Sequence, residues 1–354
     1  MSLSDDPWEL PSAQAFLAEI EGAVSTGGAL VMGGPSMPPN LVGAITRYFR
    51  DRFPVEIVES CPDRQPAEML GDVLGVTAEA GVLARATHLD HLVVVTSSEE
   101  RSADMNKWRV FLSRFLKVRT GQTEGPAILV LAIDGTGVDG IPLVAWNGRL
   151  KRIDVTIWAD LHIPPNRPEP LAALSLALAI ELCVWRLDLA AEIARARRED
   201  ILNPMGWLQC RVDLAVSVPC RLNGQETFCP IALLEQKKEE DVNHRIWRAQ
   251  LAALFPWIEM RRQKVVSTYR KCLRLDEHLK ALGVQDVSEI EFGALAKQLR
   301  SLMPRTDAEI VDCLARLRNR LAHGKRVDPT DLDYALRETG SWERLWEGTV
   351  HAKH

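Results

Sequence analysis

Long hydrophobic runs are missing from this chain of 354 residues. The most apolar stretch begins at Leu171 and meets a charge at Glu181, about ten residues later, whereas a membrane-spanning helix needs about 20. We therefore expect no transmembrane segment and no membrane partner. The residues after Met1 are acidic rather than apolar, which argues against a signal peptide. A cytoplasmic location is the expectation that follows.

Paired cysteines are also missing. The chain has seven cysteines, but none of them forms the CxxC spacing of a zinc site or a redox pair. The scattered positions do not indicate a disulfide framework, which fits a reducing compartment. No clustered histidine ligands and no nucleophile elbow are present either. We therefore expect neither a metal site nor a serine- or cysteine-based hydrolase.

The composition is that of a chain that folds around a core. Hydrophobic residues make up 46% and charged residues 26%, and the length indicates two or three domains. The net charge of −5 is unevenly distributed, since residues 236–326 carry 19 Lys and Arg against 12 Asp and Glu. A basic block in an acidic chain favours a polyanionic partner. A solvated set of helices would explain the same block equally well.

The first 165 residues predict a parallel α/β sheet. Short, β-branched apolar runs alternate with helical segments, which is typical of strands buried between two layers of helices. The predicted strands are residues 29–32, 55–58, 91–96, 127–133 and 153–158. The predicted helices between them are residues 41–53, 65–84 and 103–118.

The next segment predicts a linker, a helix and a small β insert. Four prolines in residues 164–170 indicate a linker, and residues 171–198 read as one long helix. Residues 212–218 alternate apolar with polar or small side chains. The pair Asn223-Gly224 is a strong hairpin turn signal, with residues 227–234 as the return strand.

From residue 242 onward the pattern is helical. Helices are predicted at residues 246–282 and 292–302, then from Thr306 to Gly324, and again from Asp328-Pro329. Thr306 and Glu309 match a capping box, and Gly324 is a natural C-terminal stop. The fold class is therefore a multidomain α/β plus all-α chain. We divide it into an α/β domain (1–165), a linking helix and β-hairpin region (166–241) and a helical bundle (242–354).

The loop after the first strand is the place to look for nucleotide binding. It reads Gly33-Gly34-Pro35-Ser36 and continues through two further prolines to Asn40. Its position resembles the phosphate loop of AAA+/STAND-type P-loop ATPases. The phosphate-binding lysine is absent, prolines remove backbone donors, and the third strand does not end in an acidic residue. We expect no ATP hydrolysis and no bound cofactor; Gly33, Gly34 and Ser36 are the doubtful candidates. An α/β scaffold unrelated to ATPases stays open.

Other strand-end residues are weaker candidates. Asp134 and Asp160 follow predicted strands, where open α/β sheets bind ligands, although aspartates there are more often turn formers. His88 and His91 flank a predicted strand start and fit structural roles.

The most specific motif lies in residues 315–325, where Arg318 and His323 form an Arg-x4-His pattern with Asn319 directly after the arginine. Its place late in a basic helical domain resembles the HEPN superfamily, over about residues 242–340. The resemblance implies metal-independent RNA cleavage at a homodimer interface. His323 would be the general acid/base at the ribose 2′-hydroxyl, Arg318 would stabilise phosphate charge and Asn319 would orient the substrate. Arg316, Arg320, Lys325 and Arg326 are the candidate RNA-binding residues.

Helical geometry supports part of this interpretation. At about 100° per residue, Ile310, Leu314 and Leu321 share one apolar face, and His323 lies about 180° from Leu314. An outward histidine near neutral pH suits proton transfer. Arg318 and His323 are about 140° apart, however, so one helix does not easily direct both at one phosphate.

Two alternatives therefore remain, an inactive HEPN-like interaction module and an unrelated helical domain. Glu259, Arg261 and Arg262 could support the motif from another helix, or simply form a solvated face. Trp257, Trp342 and Trp346 could be core or dimer contacts. By resemblance, degenerate ATPase-like domains joined to HEPN modules occur in bacterial conflict systems, including antiphage defence. The expectation is a regulated endoribonuclease, or else a non-catalytic adaptor that binds other proteins.

Overall fold

The computed structural model describes residues 5–77, 79–97, 102–122, 124–132, 139–222 and 225–349. By internal contacts the chain divides into two compact units. The α/β unit contains residues 1–158 and 218–228, and the helical unit contains residues 159–217 and 229–354. The three-domain division of the sequence stays a prediction. Among the described residues, no helix combines the length and the hydrophobicity needed to cross a membrane.

The α/β unit is built on a five-stranded, all-parallel sheet, which confirms the predicted sheet. The strand order is β2-β3-β4-β1-β5. The strands are β1 Gly28–Met32, β2 Val55–Glu59, β3 Leu92–Thr96, β4 Ala127–Ala132 and β5 Leu143–Ala145. The helices are α1 Pro11–Ser25, α2 Leu41–Phe49, α3 Pro66–Leu74, α4 Ala80–Leu83, α5 Ser102–Arg119 and α6 Arg152–His162, whose last turn belongs to the helical unit.

The central strands are buried on both faces, as the continuous apolar runs require. Neighbouring residues of β3, such as Val93 and Val94, point to opposite faces, and both are fully buried. One face packs on Leu112 and Phe115 of α5 and on Leu70 of α3. The edge strand β2 is more exposed. The carboxyl ends of β1 and β4 therefore lie side by side in the middle of the sheet.

The predicted fifth strand at residues 153–158 is wrong, because this segment is the start of α6. Asp154 lies in the first helical turn, is fully buried, and accepts the backbone N–H of Lys151 at 2.7 Å. Its carboxylate also accepts the backbone N–H and the hydroxyl of Ser12, at 3.0 and 2.6 Å. This acid-capped helix start outweighs the β-branched composition. The fifth strand is β5, which pairs with β1 instead.

The predicted β insert is misplaced. Residues Val212–Leu214 form a 3-10 turn, and Pro230–Glu235 form a helix, α11. The observed strands, β6 Cys220–Leu222 and β7 Gln225–Thr227, pair antiparallel within the α/β unit. Val212 and Val218 are exposed, so the alternation in residues 212–218 marks no buried face. The predicted Asn223-Gly224 turn lies outside the described residues.

The helical unit is arranged around one long helix. Its helices are α7 Glu169–Leu178, α8 Leu187–Arg195, α9 Arg198–Leu202, α10 Pro204–Gln209, α11, α12 Glu239–Tyr269, α13 Glu277–Ala281, α14 Phe292–Leu299, α15 Arg305–Ala322 and α16 Pro329–Thr349. The central α12 packs against α7, α11, α14 and α15. The prediction of helices after residue 242 is confirmed in outline. The same unit also contains α7 to α11.

Several predicted helices are interrupted at backbone positions that leave the helical region. Residues 65–84 divide into α3 and α4 after Gly75, whose φ is 66°. Residues 171–198 divide after a π-helical turn, Ala179–Cys183, where Val184 has a φ of 59°. The helix predicted to reach residue 282 ends with α12 at Tyr269. Thr306 does not cap α15, which begins one residue earlier behind Pro304.

Candidate functional site

The motif helix α15 ends as its sequence predicts. His323 is the C-cap residue, and Gly324 follows with a φ of 72°. The backbone N–H of Lys325 donates to the carbonyl of Arg320 at 2.9 Å, and that of Gly324 donates to Leu321 at 3.2 Å. These two bonds form a Schellman motif, which needs a left-handed residue at Gly324. The chain is thereby turned back so that residues 325–327 run beside the last helical turn.

The end of α15 is also bound to α12. The indole Nε1–H of Trp247 donates to the carbonyl of Leu321 at 2.8 Å. The His244 ring lies against the Trp247 ring, with centroids 5.1 Å apart. The carbonyl of Leu321 thus accepts two hydrogen bonds, one from Gly324 within the turn and one from Trp247, which connects the end of α15 to the central helix.

The predicted division of α15 into two faces is confirmed. Ile310, Leu314, Leu317 and Leu321 are buried and pack into the unit. His323 is exposed on the opposite side. The histidine is therefore available to solvent and is no part of the core.

An exposed group of cationic and polar side chains surrounds His323. We call it the basic cluster, and it consists of Asn319, Arg320, His323, Lys325 and Arg326, all of them exposed. The Nε–H of Arg320 donates to the carbonyl of Arg326 at 2.9 Å, across the turn made by Gly324. Five predicted site residues are thus brought together at one end of α15.

Arg318 lies apart from that cluster. Its guanidinium forms an ion pair with Glu291, just before α14, and lies over the ring of Phe255, 5.9 Å from the centroid. Its side chain is 27% exposed. The two defining residues of the motif therefore face different parts of the surface, as the angle of about 140° between them requires.

Arg316 is engaged with α16 rather than with the basic cluster. Its guanidinium donates to both carboxylate oxygens of Asp331, from Nη2 at 2.6 Å and from Nε at 3.3 Å. The hydrogen bond from Arg316 lowers the pKa of Asp331, and the same bond raises the pKa of Arg316. In this geometry Arg316 holds α15 to α16.

The polar residues of α12 that were candidates to support the motif bind other partners. Arg262 pairs with Glu259 and donates to the carbonyls of Ser288 and Ile290, at 2.5 and 3.0 Å. Arg261 lies over the ring of Trp257, which is buried. The side chains of Trp342 and Trp346 are outside the described residues. Arg262 therefore holds the segment before α14, and with it the backbone that carries Glu291.

The loop after β1 is packed rather than open. Ser36 is 4% exposed, and its hydroxyl accepts the indole N–H of the fully buried Trp146 at 3.0 Å. A second indole, that of Trp8, donates to the carbonyl of Pro39 at 2.7 Å and lies edge-on to Trp146. A Cβ placed on Gly34 would be 3.5 Å from Trp146, an ordinary van der Waals contact, so the loop lies directly against the indole. Aromatic side chains thus fill the space beside Gly34 and Ser36.

Of the two aspartates expected at strand ends, Asp160 is among the described residues. Asp160 lies within α6, because the strand expected before it is a helix. Asp134 is outside the described residues. No group of three or more His, Cys, Asp or Glu residues in the described part of the chain is arranged to hold a metal ion.

No family model matches the chain, and no curated protein matches it. The basic cluster at the end of α15 is therefore judged on its own geometry and chemistry.

Three contributors to this site could not be recognised from the sequence. Glu291 and Phe255 hold Arg318, and Trp247 binds the end of α15, yet they lie 27 to 74 residues away along the chain. Nothing within the motif segment itself points to these three residues.

Proposed function

We propose that the helical unit is an endoribonuclease of the HEPN type. In this proposal the basic cluster binds the RNA backbone and His323 transfers the proton of the ribose 2′-hydroxyl. The α/β unit, with its degenerate nucleotide loop, would control this activity in response to a partner or ligand. A role in bacterial antiphage defence fits this combination of domains.

The observation that carries the proposal is the surplus of cations at the end of α15. Positive side chains at a helix C-terminus usually stabilise its last carbonyls. Here Lys325 and Gly324 already donate backbone N–H groups to two of these carbonyls, and Trp247 donates to the carbonyl of Leu321 as well. The side chains of the basic cluster are not needed for that purpose. They remain exposed and able to bind phosphate groups.

The chemistry proposed for His323 needs an exposed imidazole close to phosphate-binding groups. A base removes the 2′-hydroxyl proton, the 2′-oxygen attacks the adjacent phosphorus, and the 5′-oxygen leaves with a proton, so that a 2′,3′-cyclic phosphate forms. Imidazole suits both proton transfers at neutral pH. Cations that bind the phosphate stabilise the negative charge that develops on it.

A homodimer is part of the proposal because Arg318 and His323 face different surfaces of one chain. A second copy could place its own Arg318 or His323 at the same phosphate. Release of Arg318 from Glu291 would accompany that assembly.

The second candidate function is a non-catalytic adaptor. One observation favours it: the guanidinium of Arg318 is already bound by Glu291 and Phe255, which is a structural role. In this alternative the basic cluster binds an acidic protein surface, and His323 makes no chemical contribution.

Cleavage of RNA by matched variants tests the choice. Total tRNA and a single-stranded oligonucleotide are incubated in EDTA with wild type, His323→Ala and His278→Ala. His278 is an exposed histidine on α13, well separated in sequence from the motif. We expect cyclic-phosphate products from wild type and His278→Ala, and a loss of about 100-fold or more in His323→Ala. Equal rates in all three proteins, or no cleavage by wild type with any RNA supplied, would favour the adaptor.

A further inference from the structure

A small cavity lies next to the basic cluster within the helical unit. Its volume is about 120 Å³. Arg320 and Arg326 line one side, and Gln250, Asn203 and Asp328 line the others. Pockets that enclose a whole drug-sized ligand are larger, at about 300 Å³ or more. The cavity therefore suits a single small group rather than a complete nucleotide.

The two carboxamides in the wall have their oxygen atoms occupied. Oε1 of Gln250 accepts the backbone N–H of Val327 at 2.9 Å, and Gln250 is only 2% exposed. Oδ1 of Asn203 accepts the backbone N–H of Gly206 at 3.3 Å, at the start of α10. Because these oxygens accept backbone N–H groups, the NH₂ group is the part of each carboxamide that can donate a hydrogen bond to a ligand.

Two further oxygen atoms in the wall accept hydrogen bonds. Oδ1 of Asp328 accepts the backbone N–H groups of Thr330 and Asp331, at 2.9 and 3.3 Å, where it caps α16. The carbonyl of Arg326 accepts the Nε–H of Arg320. Among the lining side chains, two guanidinium groups and two NH₂ groups can donate hydrogen bonds, against the single carboxylate of Asp328. Two guanidinium groups against one capping carboxylate also leave a net positive charge.

We infer that this cavity binds a phosphate group of RNA, adjacent to the phosphate that is cleaved at His323. This inference rests on the proposed function. A wall of donors with a net positive charge selects an acceptor-only anion, and a phosphate oxyanion is such a ligand. Arg320 lies one helical turn before His323, so a strand held in the cavity passes the histidine. Gln250 is then a buried positioning residue for the substrate.

Two isosteric variants test the inference because each keeps the structural hydrogen bond. Gln250→Glu retains the oxygen that accepts from Val327 and replaces the NH₂ group with a negative oxygen. Asn203→Asp does the same at the start of α10, on an exposed residue, so it tests the site even if Gln250→Glu does not fold. Gln263→Glu is the control, since it puts the same charge on an exposed position of α12.

The full-length proteins are titrated with a 2′-O-methylated RNA oligonucleotide, which cannot be cleaved, and separately with inorganic phosphate. Both cavity variants should bind the oligonucleotide at least about tenfold more weakly than wild type, whereas Gln263→Glu should not. The slope of log affinity against log salt should fall by about 0.7, the value for one phosphate contact on a single strand. Inorganic phosphate binding should weaken in the same two variants.

The outcomes separate this inference from the proposed function. If the cavity variants bind the oligonucleotide like wild type, the inference is overturned, even if the wild type cleaves RNA. If only the binding of inorganic phosphate is lost, the cavity serves a free phosphate compound and the RNA assignment is wrong. If oligonucleotide binding is lost in both variants although wild type cleaves no RNA, the phosphate site stands and the ribonuclease proposal fails.

Discussion

The ion pair of Arg318 with Glu291 makes a quantitative prediction about how firmly the motif arginine is held. The side chains are 27% and 54% exposed, so the pair is worth about 0.5–1 kcal/mol after screening by solvent. The contact of Arg318 with Phe255 adds about 0.5–1 kcal/mol. Arg318→Ala should therefore lower the free energy of unfolding by about 1–2 kcal/mol. Glu291→Gln should lower it by about 0.5–1 kcal/mol.

A double-mutant cycle in urea, followed by tryptophan fluorescence, measures the coupling between the two residues directly. The expected coupling is about 0.5–1 kcal/mol, and it should shrink in high salt. The binding of 2′-O-methylated RNA provides the functional readout. In the ribonuclease proposal, Glu291→Gln frees Arg318 and so raises the affinity for RNA. The control is Glu309→Gln, which breaks a comparable ion pair with Arg305 on α15 and should raise the affinity less. A coupling below about 0.2 kcal/mol, the lower end for exposed pairs, would refute the claim that Glu291 holds Arg318.

Further predictions concern the elements that position the site and the sheet. Asp154→Ala removes the acceptor of three hydrogen bonds, two of them buried, and should destabilise the protein by about 3 kcal/mol in urea titrations. Gly324→Ala should lower the free energy of unfolding by about 1 kcal/mol, because alanine is strained in the left-handed backbone conformation of Gly324. The control Gly293→Ala, within α14, should be neutral or stabilising. The opposite pattern would contradict the assigned end of α15. The pKa of Asp331 is lowered in the folded state, so the ionised carboxylate stabilises the fold at any pH above its unfolded pKa of about 4. This stabilisation is lost as the pH falls from there through the lower folded pKa. Asp331→Asn should thus lower the free energy of unfolding by up to about 1 kcal/mol at pH 7 and by progressively less as the pH falls, so that the two thermal unfolding curves converge in acid.

The sheet could be predicted from the sequence because its central strands are buried on both faces. The run Leu92–Thr96 does not match the apolar spacing of an amphipathic helix, and five residues are too few for a buried helix. The β-branched composition misled at residues 153–158, where such residues alternate with polar ones. The decisive interaction there joins Asp154 to Ser12, 142 residues earlier in the chain. Composition within a short window cannot report a contact of that range.

The site shows the same limit. The exposure of His323 and the burial of Leu314 follow from helical periodicity, and Gly324 marks the helix end through local backbone chemistry. The partners of Arg318 and the donor-lined cavity depend on how α10, α12 and α14 pack around α15. Gln250 illustrates the difference, since a glutamine on a long helix reads as surface, yet it is buried and hydrogen-bonded to Val327. Local rules therefore identify the motif, and tertiary packing decides what each of its residues can bind.

The two arginines that flank Asn319 illustrate how that packing distributes charge. Arg318 forms an ion pair with Glu291, whereas Arg320 donates to the backbone carbonyl of Arg326, which carries no negative charge. Arg316 is neutralised by Asp331. Among these three arginines, Arg320 is the one that forms neither of these two ion pairs. Arg320 also lines the cavity and lies one helical turn from His323. In the proposed ribonuclease, this arginine is therefore the one of the three that would bind a phosphate of the RNA.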